Sequence, residues 1–422
     1  MSYIKIERLY MRPLFRHSAA TAALLTLLMA CSPQVENAKV AAKAETQPVT
    51  KPKASAPAAV TAEGDNTPCT EVFLTGTGGG PAAVNGNAQS GVFIRSGHSG
   101  NGCNDVRLQF DAGRGTLLKL SLVPSPTRPG FVTPPSISAL FITHGHSDHT
   151  SSIPDILETR WIMTKNDGQF PGLKPPKPRY KDLPVICFEE ACDIAEKALV
   201  PWEGEIEGRT KKDHRLVKPK ADVKKYTATT TPQIVWESAG VTVSAVRVDH
   251  IEGAVGYKIE TAAGEVCISG DTSFSNDFKL MCEESDLMIH EVIHPVLDGI
   301  AASIPNPDPT FTKVMDNIFN SHTSTDSFDK LEGTNAVVVL THIIPPIGAG
   351  GFQGIPLIPR LNKIDPARGK GPTKAQDFCT AIQKAGFTGE LHVGLDLMQI
   401  KLSDGKLTTK MPDGQQTDCA TF

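Results

Sequence analysis

The chain has 422 residues, with 42 Lys+Arg against 46 Asp+Glu, a formal net charge of −4 at pH 7 and 40% hydrophobic residues. That balance excludes a basic protein that coats nucleic acid and leaves enough apolar material for a large core. No apolar run reaches the ~18 residues a spanning helix needs, so none is expected.

In chain order, the first signal is for export. Lys5, Arg8, Arg12 and Arg16 precede the apolar stretch Ser18 to Ala30, a basic segment and a run too short to cross a bilayer. The run ends in Leu28-Met29-Ala30-Cys31, which resembles the bacterial lipobox. Residues 1–31 are therefore expected to be a signal peptide ending at a lipidated Cys31, with ordinary cleavage near Ala30 as the alternative. Residues 32–66 are rich in Ala, Pro and Lys and lack aromatics, the composition of a flexible tether. A folded domain is expected over 67–422, on an exported lipoprotein of the bacterial cell envelope that touches the membrane through its lipid only. Eight cysteines remain beside Cys31. An even number in an exported chain suggests disulfides, and pairing of sequence neighbours is the least costly arrangement; the alternative is that several, Cys267 above all, are small buried residues.

The chemistry begins after Ile137 to Thr143, a short β-favouring run that leads into His144-Gly145-His146-Ser147-Asp148-His149. Three imidazoles and a carboxylate within six residues exceed what packing needs, and they are the donors a divalent cation such as zinc takes. A turn at Gly145 lets His144 and His146 point one way and Asp148 and His149 another, so two adjacent metal ions are expected. Three further β-favouring runs lead into a histidine or an aspartate: Val241 to Val248 before His250, Glu265 to Ser269 before Gly270-Asp271, and Ala336 to Thr341 before His342. The string His290-Glu291-Val292-Ile293-His294 fits the zinc-protease helix motif. Its β-branched residues and Pro295 speak for a strand instead, because a helix cannot continue through proline without losing a backbone bond.

The His-x-His-x-Asp-His string is the signature of the metallo-β-lactamase superfamily, and the order of elements resembles its ribonuclease Z and arylsulfatase-like branch. Val72 to Pro81 looks like that branch's first strand and glycine turn, and Phe110-Asp111-Ala112-Gly113 like its next strand end. The resemblance covers most of residues 70–345. It implies an α/β four-layer αβ/βα sandwich, two mixed sheets flanked by helices, and two divalent metal ions, zinc first, with manganese or iron as alternatives. One ion would take His144, His146 and His250, the other Asp148, His149 and His342, with Asp271 bridging them. Aspartate rather than cysteine at the bridge argues against antibiotic hydrolysis. Asp148 and His322 are the expected catalytic residues, His322 lying in a His-Ser-Thr-like loop where it helps the leaving oxygen depart. Asp111, His290 and Glu291 are expected to support the ligands from behind.

Two bridged cations would lower the pKa of a shared water and clamp an ester for attack. The expected reaction is hydrolysis of a phosphodiester or sulfate ester, with a lactone or carboxylic ester as the alternative; an iron-dependent use of the fold and a non-enzymatic surface binding lipoprotein are the rival readings. Export, the absence of a basic excess and the 20 residues between His250 and Asp271, too few for an RNA-clasping arm, disfavour transfer-RNA processing. The expected partner is thus a small-molecule ester and no nucleic acid, with homodimerisation left open. An insertion around 160–235 and a flexible loop after His342 are expected near the site, and Gly389 to Leu402 reads as one edge strand.

Overall fold

The structure, a computed structural model, describes residues 66–80, 86–127, 129–166, 181–212, 217–294, 309–347 and 374–421. The expected signal peptide with Cys31, the tether up to residue 65, residues 167–180 and 213–216 of the expected insertion, and the loop 348–373 lie outside the described residues.

The strands are β1 (Pro68–Gly76), β2 (Gly91–His98), β3 (Val106–Phe110), β4 (Ala139–Phe141), β5 (Leu183–Phe188), β6 (Ala221–Tyr226), β7 (Gln233–Ser238), β8 (Val241–Arg247), β9 (Val255–Thr261), β10 (Gly264–Ile268), β11 (Leu287–Ile293), β12 (Val337–Ile344), β13 (Leu391–Val393), β14 (Gln399–Ser403) and β15 (Lys406–Lys410). They form two mixed sheets, one of eight strands in the order β15-β14-β1-β2-β3-β4-β5-β6 and one of seven in the order β13-β12-β11-β10-β9-β8-β7. In the first, β3 to β6 run parallel, and in the second, β10 to β13 do. Parallel neighbours need crossover connections, which here carry helices onto the outer faces.

Alternation along each strand assigns its two faces. Val72, Leu74, Phe110 and Phe141 of the first sheet meet Val243, Tyr257, Ile268 and Ile289 of the second in one buried cluster between the sheets. The intervening residues Phe73, Phe93, Leu140 and Val185 turn outward onto α1 (Thr116–Leu120), α3 (Ile153–Asn166) and α4 (Glu189–Lys197), where Leu120, Ile156, Leu157 and Ala191 cover them. The short α2 (Ser147–Thr150) precedes α3, and α5 (Glu203–Lys212) follows α4. Outside the second sheet, α6 (Asn276–Cys282) and α8 (Ala375–Ala385) set Phe278, Phe378 and Ile382 against Met288, Val338 and Leu340, while α7 (Pro309–Asn320) precedes the loop carrying His322. Helix, sheet, sheet and helix make the four layers of a metallo-β-lactamase sandwich. Burial of one such large apolar side chain contributes roughly 1.5–3 kcal/mol, and the inter-sheet cluster holds the strand ends that carry the site. Tyr257, buried against Phe110 and Phe141, also donates its hydroxyl to the Ile142 carbonyl at 2.8 Å, one residue before Thr143 and the histidine turn.

Four disulfides join sequence neighbours: Cys69 to Cys103, Cys187 to Cys192, Cys267 to Cys282 and Cys379 to Cys419. Residues 287–293 are a strand, so the zinc-protease string forms no helix. The described residues of 160–235 comprise the end of α3, β5, α4, α5, β6 and the first half of β7. Trp161 is buried and donates to the Val217 carbonyl, while Trp236, just beyond this region, packs edge-on against Phe141.

The expected single edge strand over Gly389 to Leu402 is instead two strands in different sheets. Residues 391–393 are an edge strand of the seven-stranded sheet, whereas 399–403 lie in the eight-stranded one between β1 and β15. The chain changes sheets after Gly394, whose N–H donates to the Leu340 carbonyl and where an added Cβ would meet that oxygen at 2.2 Å. Apolar alternation continues through both strands, which conceals the break.

Candidate metal centre

All the candidate ligands sit where strands end. His144 to His149 follow β4, His250 follows β8, Asp271 follows β10, and His342 lies near the end of β12. Ligand sites at the carboxyl ends of parallel strands are a general property of α/β sheets. At His342 the pairing of β11 with β12 skips a residue: Glu291 faces Thr341 and Val292 faces Ile343. His342 is the extra residue of this bulge, with φ +41°, and the bulge turns its ring out of the ladder toward the site. Asp111, just beyond β3, also has positive φ, +55°. Strained non-glycine backbone at two such positions fits a built site.

Two clusters share Asp271. In the first, His144 Nε2 lies 3.0 Å from His146 Nδ1, His250 Nε2 lies 3.1 Å from the same atom, and Asp271 Oδ2 is 3.7 and 3.8 Å from His144 and His250. In the second, His342 Nε2 lies 3.1 Å from Asp148 Oδ2 and 3.2 Å from Asp271 Oδ2, with His149 Nε2 3.2 Å from Asp271 Oδ1. These groups of four could each hold a cation. The second set is wholly buried, whereas His146 of the first is exposed and opens that set to solvent. A groove of ≈ 560 Å³ lined by Glu189, Arg247, Asp249 and Asn320 leads away from His250.

The donor set fits divalent cations. Asp111, Asp148 and Asp271 are buried, and among the described residues only histidines pair with them. Carboxylates so placed demand a positive charge. His149 Nε2 and Asp271 Oδ1 are buried without a hydrogen-bond partner, on the sides that face the second cluster. Burial holds His144 well below its ordinary pKa, in the neutral form a cation takes. Burial alone would raise the Asp271 pKa, but His149, His342 and His144 hold it well below the usual carboxylate range.

The far sides of the rings are anchored. Asp111 Oδ2 lies 2.7 Å from His149 Nδ1, and the same carboxylate accepts from the Thr143 N–H at 2.8 Å, the Thr143 hydroxyl and Ser90. His250 Nδ1 donates to the Ser321 carbonyl at 2.8 Å. Such contacts fix which nitrogen is free to bind. Nothing in the sequence marked Thr143 or the Ser321 carbonyl for this use.

His322 lies beside both sets, stacked on His342 with ring centroids 5.4 Å apart and its Nδ1 3.4 Å from Glu291 Oε2. Glu291 Oε1 accepts from the Thr323 N–H at 2.7 Å and the Thr272 N–H at 3.2 Å, so the carboxylate is rigidly held. Burial would lower the His322 pKa, but Glu291, then Asp271 and Asp148, raise it to about 9. His290 does not join them. Strand alternation turns it to the opposite face, between Phe278 and Phe328, and its Nδ1 donates to the Glu291 carbonyl. The expectation that His290 supports the ligands is corrected accordingly.

No family model matches the chain. Among curated proteins, the ribonuclease Z of Mycobacterium bovis (strain BCG / Pasteur 1173P2) is 27% identical over 337 residues, covering 79% of this chain and 98% of the relative. Similar solved structures include the metallo-β-lactamase fold protein YhfI from Bacillus subtilis, 15% identical with a TM-score of 0.48 over 79% of this chain and 99% of that one. The human tRNase Z, short form, is 20% identical with a TM-score of 0.40 over 65% and 92%. The curated ribonuclease Z relative overturns the expectation of a small-molecule ester and no nucleic-acid partner. Net charge does not exclude such a partner, because it sums the whole chain, whereas a phosphate answers to the local field. The chain is a metallo-β-lactamase-fold protein that resembles ribonuclease Z.

Proposed function

We propose that the chain is a metal-dependent phosphodiesterase that acts on RNA. The observation that carries this reading is the pair of four-ligand sets sharing Asp271, an arrangement suited to in-line displacement at phosphorus, and the ribonuclease Z likeness supports the phosphodiester over a sulfate ester or lactone. When bound, two divalent cations polarise a phosphoryl oxygen and supply a hydroxide nucleophile near neutral pH.

The chain's own residues do the rest. His144, His146 and His250 would hold one cation and Asp148, His149 and His342 the other, with Asp271 common to both. Asp111 keeps the His149 proton on Nδ1, so that Nε2 presents a lone pair. His322, held protonated by Glu291, would give its proton to the departing alkoxide. The open first set and the groove beside His250 provide the approach for a chain-like substrate.

Export through Cys31 remains part of this reading and rests on the N-terminal sequence. An exported enzyme would meet RNA outside the cytoplasm, so transfer-RNA maturation is not carried over. Mass spectrometry of the mature N-terminus tests this: a diacylglyceryl Cys31 is expected, and an unmodified Met1 would refute it. The activity is tested with the zinc- or manganese-loaded full chain on an RNA hairpin bearing a 3′ single strand and, in parallel, an aryl sulfate. Cleavage of the RNA alone is expected; cleavage of the sulfate alone would refute the reading.

A further inference from the structure

The turn after β1 passes the second ligand set more closely than any side chain would allow. A Cβ on Gly79 would lie 2.8 Å from His342 Nδ1 and 2.6 Å from Ile344 Cγ1. The turn is stitched to β12 by Gly79 N–H to the Ile343 carbonyl and Ile343 N–H to the Thr77 carbonyl. Gly80, at φ +84°, then aims its N–H at His342 Nε2, 3.4 Å away. That nitrogen belongs to the second ligand set. A cation on that nitrogen would take its lone pair and leave the Gly80 N–H free to donate to an anion.

This turn is fixed from the far end of the chain. Asp396, in the crossing between β13 and β14, accepts through Oδ1 from the Thr77 N–H at 2.9 Å and the Thr77 hydroxyl at 2.8 Å. Its Oδ2 accepts from the Ala88 N–H at 2.8 Å and pairs with Lys119 Nζ of α1 at 2.9 Å. The side chain is 8% exposed. One carboxylate thereby ties both stems of the glycine turn to α1, and Gln89 Nε2 holds the Gly80 carbonyl at 2.6 Å.

We infer that Asp396 is a positioning residue of this centre: it sets the glycine turn so that the Gly80 N–H donates to a non-bridging oxygen of a bound phosphoryl group. The identity of the anion rests on the phosphodiesterase reading above. A preorganised backbone donor of this kind strengthens binding most where negative charge concentrates.

The test compares full-length wild type, Asp396→Asn and Gly80→Ala, each zinc-loaded, by cation stoichiometry, calorimetric titration with inorganic phosphate, and turnover of bis(4-nitrophenyl) phosphate. The Asn amide has one oxygen to offer where the carboxylate accepts three bonds, and alanine at φ +84° displaces the N–H while its Cβ meets nothing within 4 Å. Both variants are expected to keep two cations, to bind phosphate about tenfold more weakly, and to lose kcat by roughly 10- to 100-fold with KM little changed. Wild-type phosphate affinity in both would overturn the inference, as would loss of a cation from Asp396→Asn with Gly80→Ala unaffected. Should Asp396→Asn fail to fold, Gly80→Ala decides alone. A wild type that binds phosphate but cleaves no diester overturns the functional reading, and the phosphate titration still judges Asp396.

Discussion

Replacing Asp111 with asparagine tests how the second cation site is built. The carboxylate accepts from the Thr143 N–H, the Thr143 hydroxyl, Ser90 and His149 Nδ1. Asparagine keeps one oxygen, which still serves the Thr143 N–H, but it places an NH2 toward Ser90 and His149. That NH2 donates to His149 Nδ1 and drives the ring proton to Nε2, the atom that must be free to bind. Loss of such a supporting contact lowers metal affinity roughly 10- to 100-fold, about 1.4–2.7 kcal/mol. Asp111→Asn should therefore weaken one of two cations by that factor in a calorimetric zinc titration and leave the other unchanged. Asp111→Ala strands four buried donors and should also destabilise the fold by about 3 kcal/mol in urea. Two unaltered zinc affinities in Asp111→Asn would refute the reasoning.

Other outcomes follow from the same geometry. His146→Ala should abolish turnover yet leave the thermal transition within about 2 °C of wild type, since the ring is exposed; wild-type rates would refute the site. Glu291→Gln removes the charge that holds the His322 proton. A general acid works below its pKa and fails as pH rises through it, so the alkaline limb of the kcat profile should move to lower pH; an unmoved limb would separate His322 from proton transfer. Breaking the Cys379–Cys419 disulfide, which closes a separation of 40 residues, should cost about 4 kcal/mol in chemical denaturation. Glu71→Ala leaves Arg95 buried without its carboxylate, at a cost of about 3–5 kcal/mol, with zinc stoichiometry unchanged.

The candidate ligands were legible because each is a chemically distinctive residue at the end of a β-favouring run, and His144 to His149 crowd into one turn. Glu291 and His290 show the limit. Both are titratable neighbours, and only the strand's period of two, once its faces are known, sends Glu291 to the site and His290 into the core. Asp396 was not legible, because its meaning lies in contacts with Thr77 and Ala88 more than 300 residues away in sequence. Nor were the Gly80 N–H and the Ser321 carbonyl, since every residue carries such groups and only the fold selects these. The four layers could be read from alternating strands, but the change of sheets after Gly394 could not, because alternation continues across it. Composition misled most on the partner, since total charge describes no particular surface.

The most direct test of two cations working on one phosphodiester is to follow RNA cleavage by the full chain while zinc is added to the metal-free protein and bound zinc is measured alongside. Cleavage of the hairpin's 3′ strand should stay near zero through the first equivalent, rise as occupancy passes from one to two per chain, and be absent in His342→Ala. Saturation at a single zinc with full activity, or two zincs bound with the RNA left intact, would contradict the account.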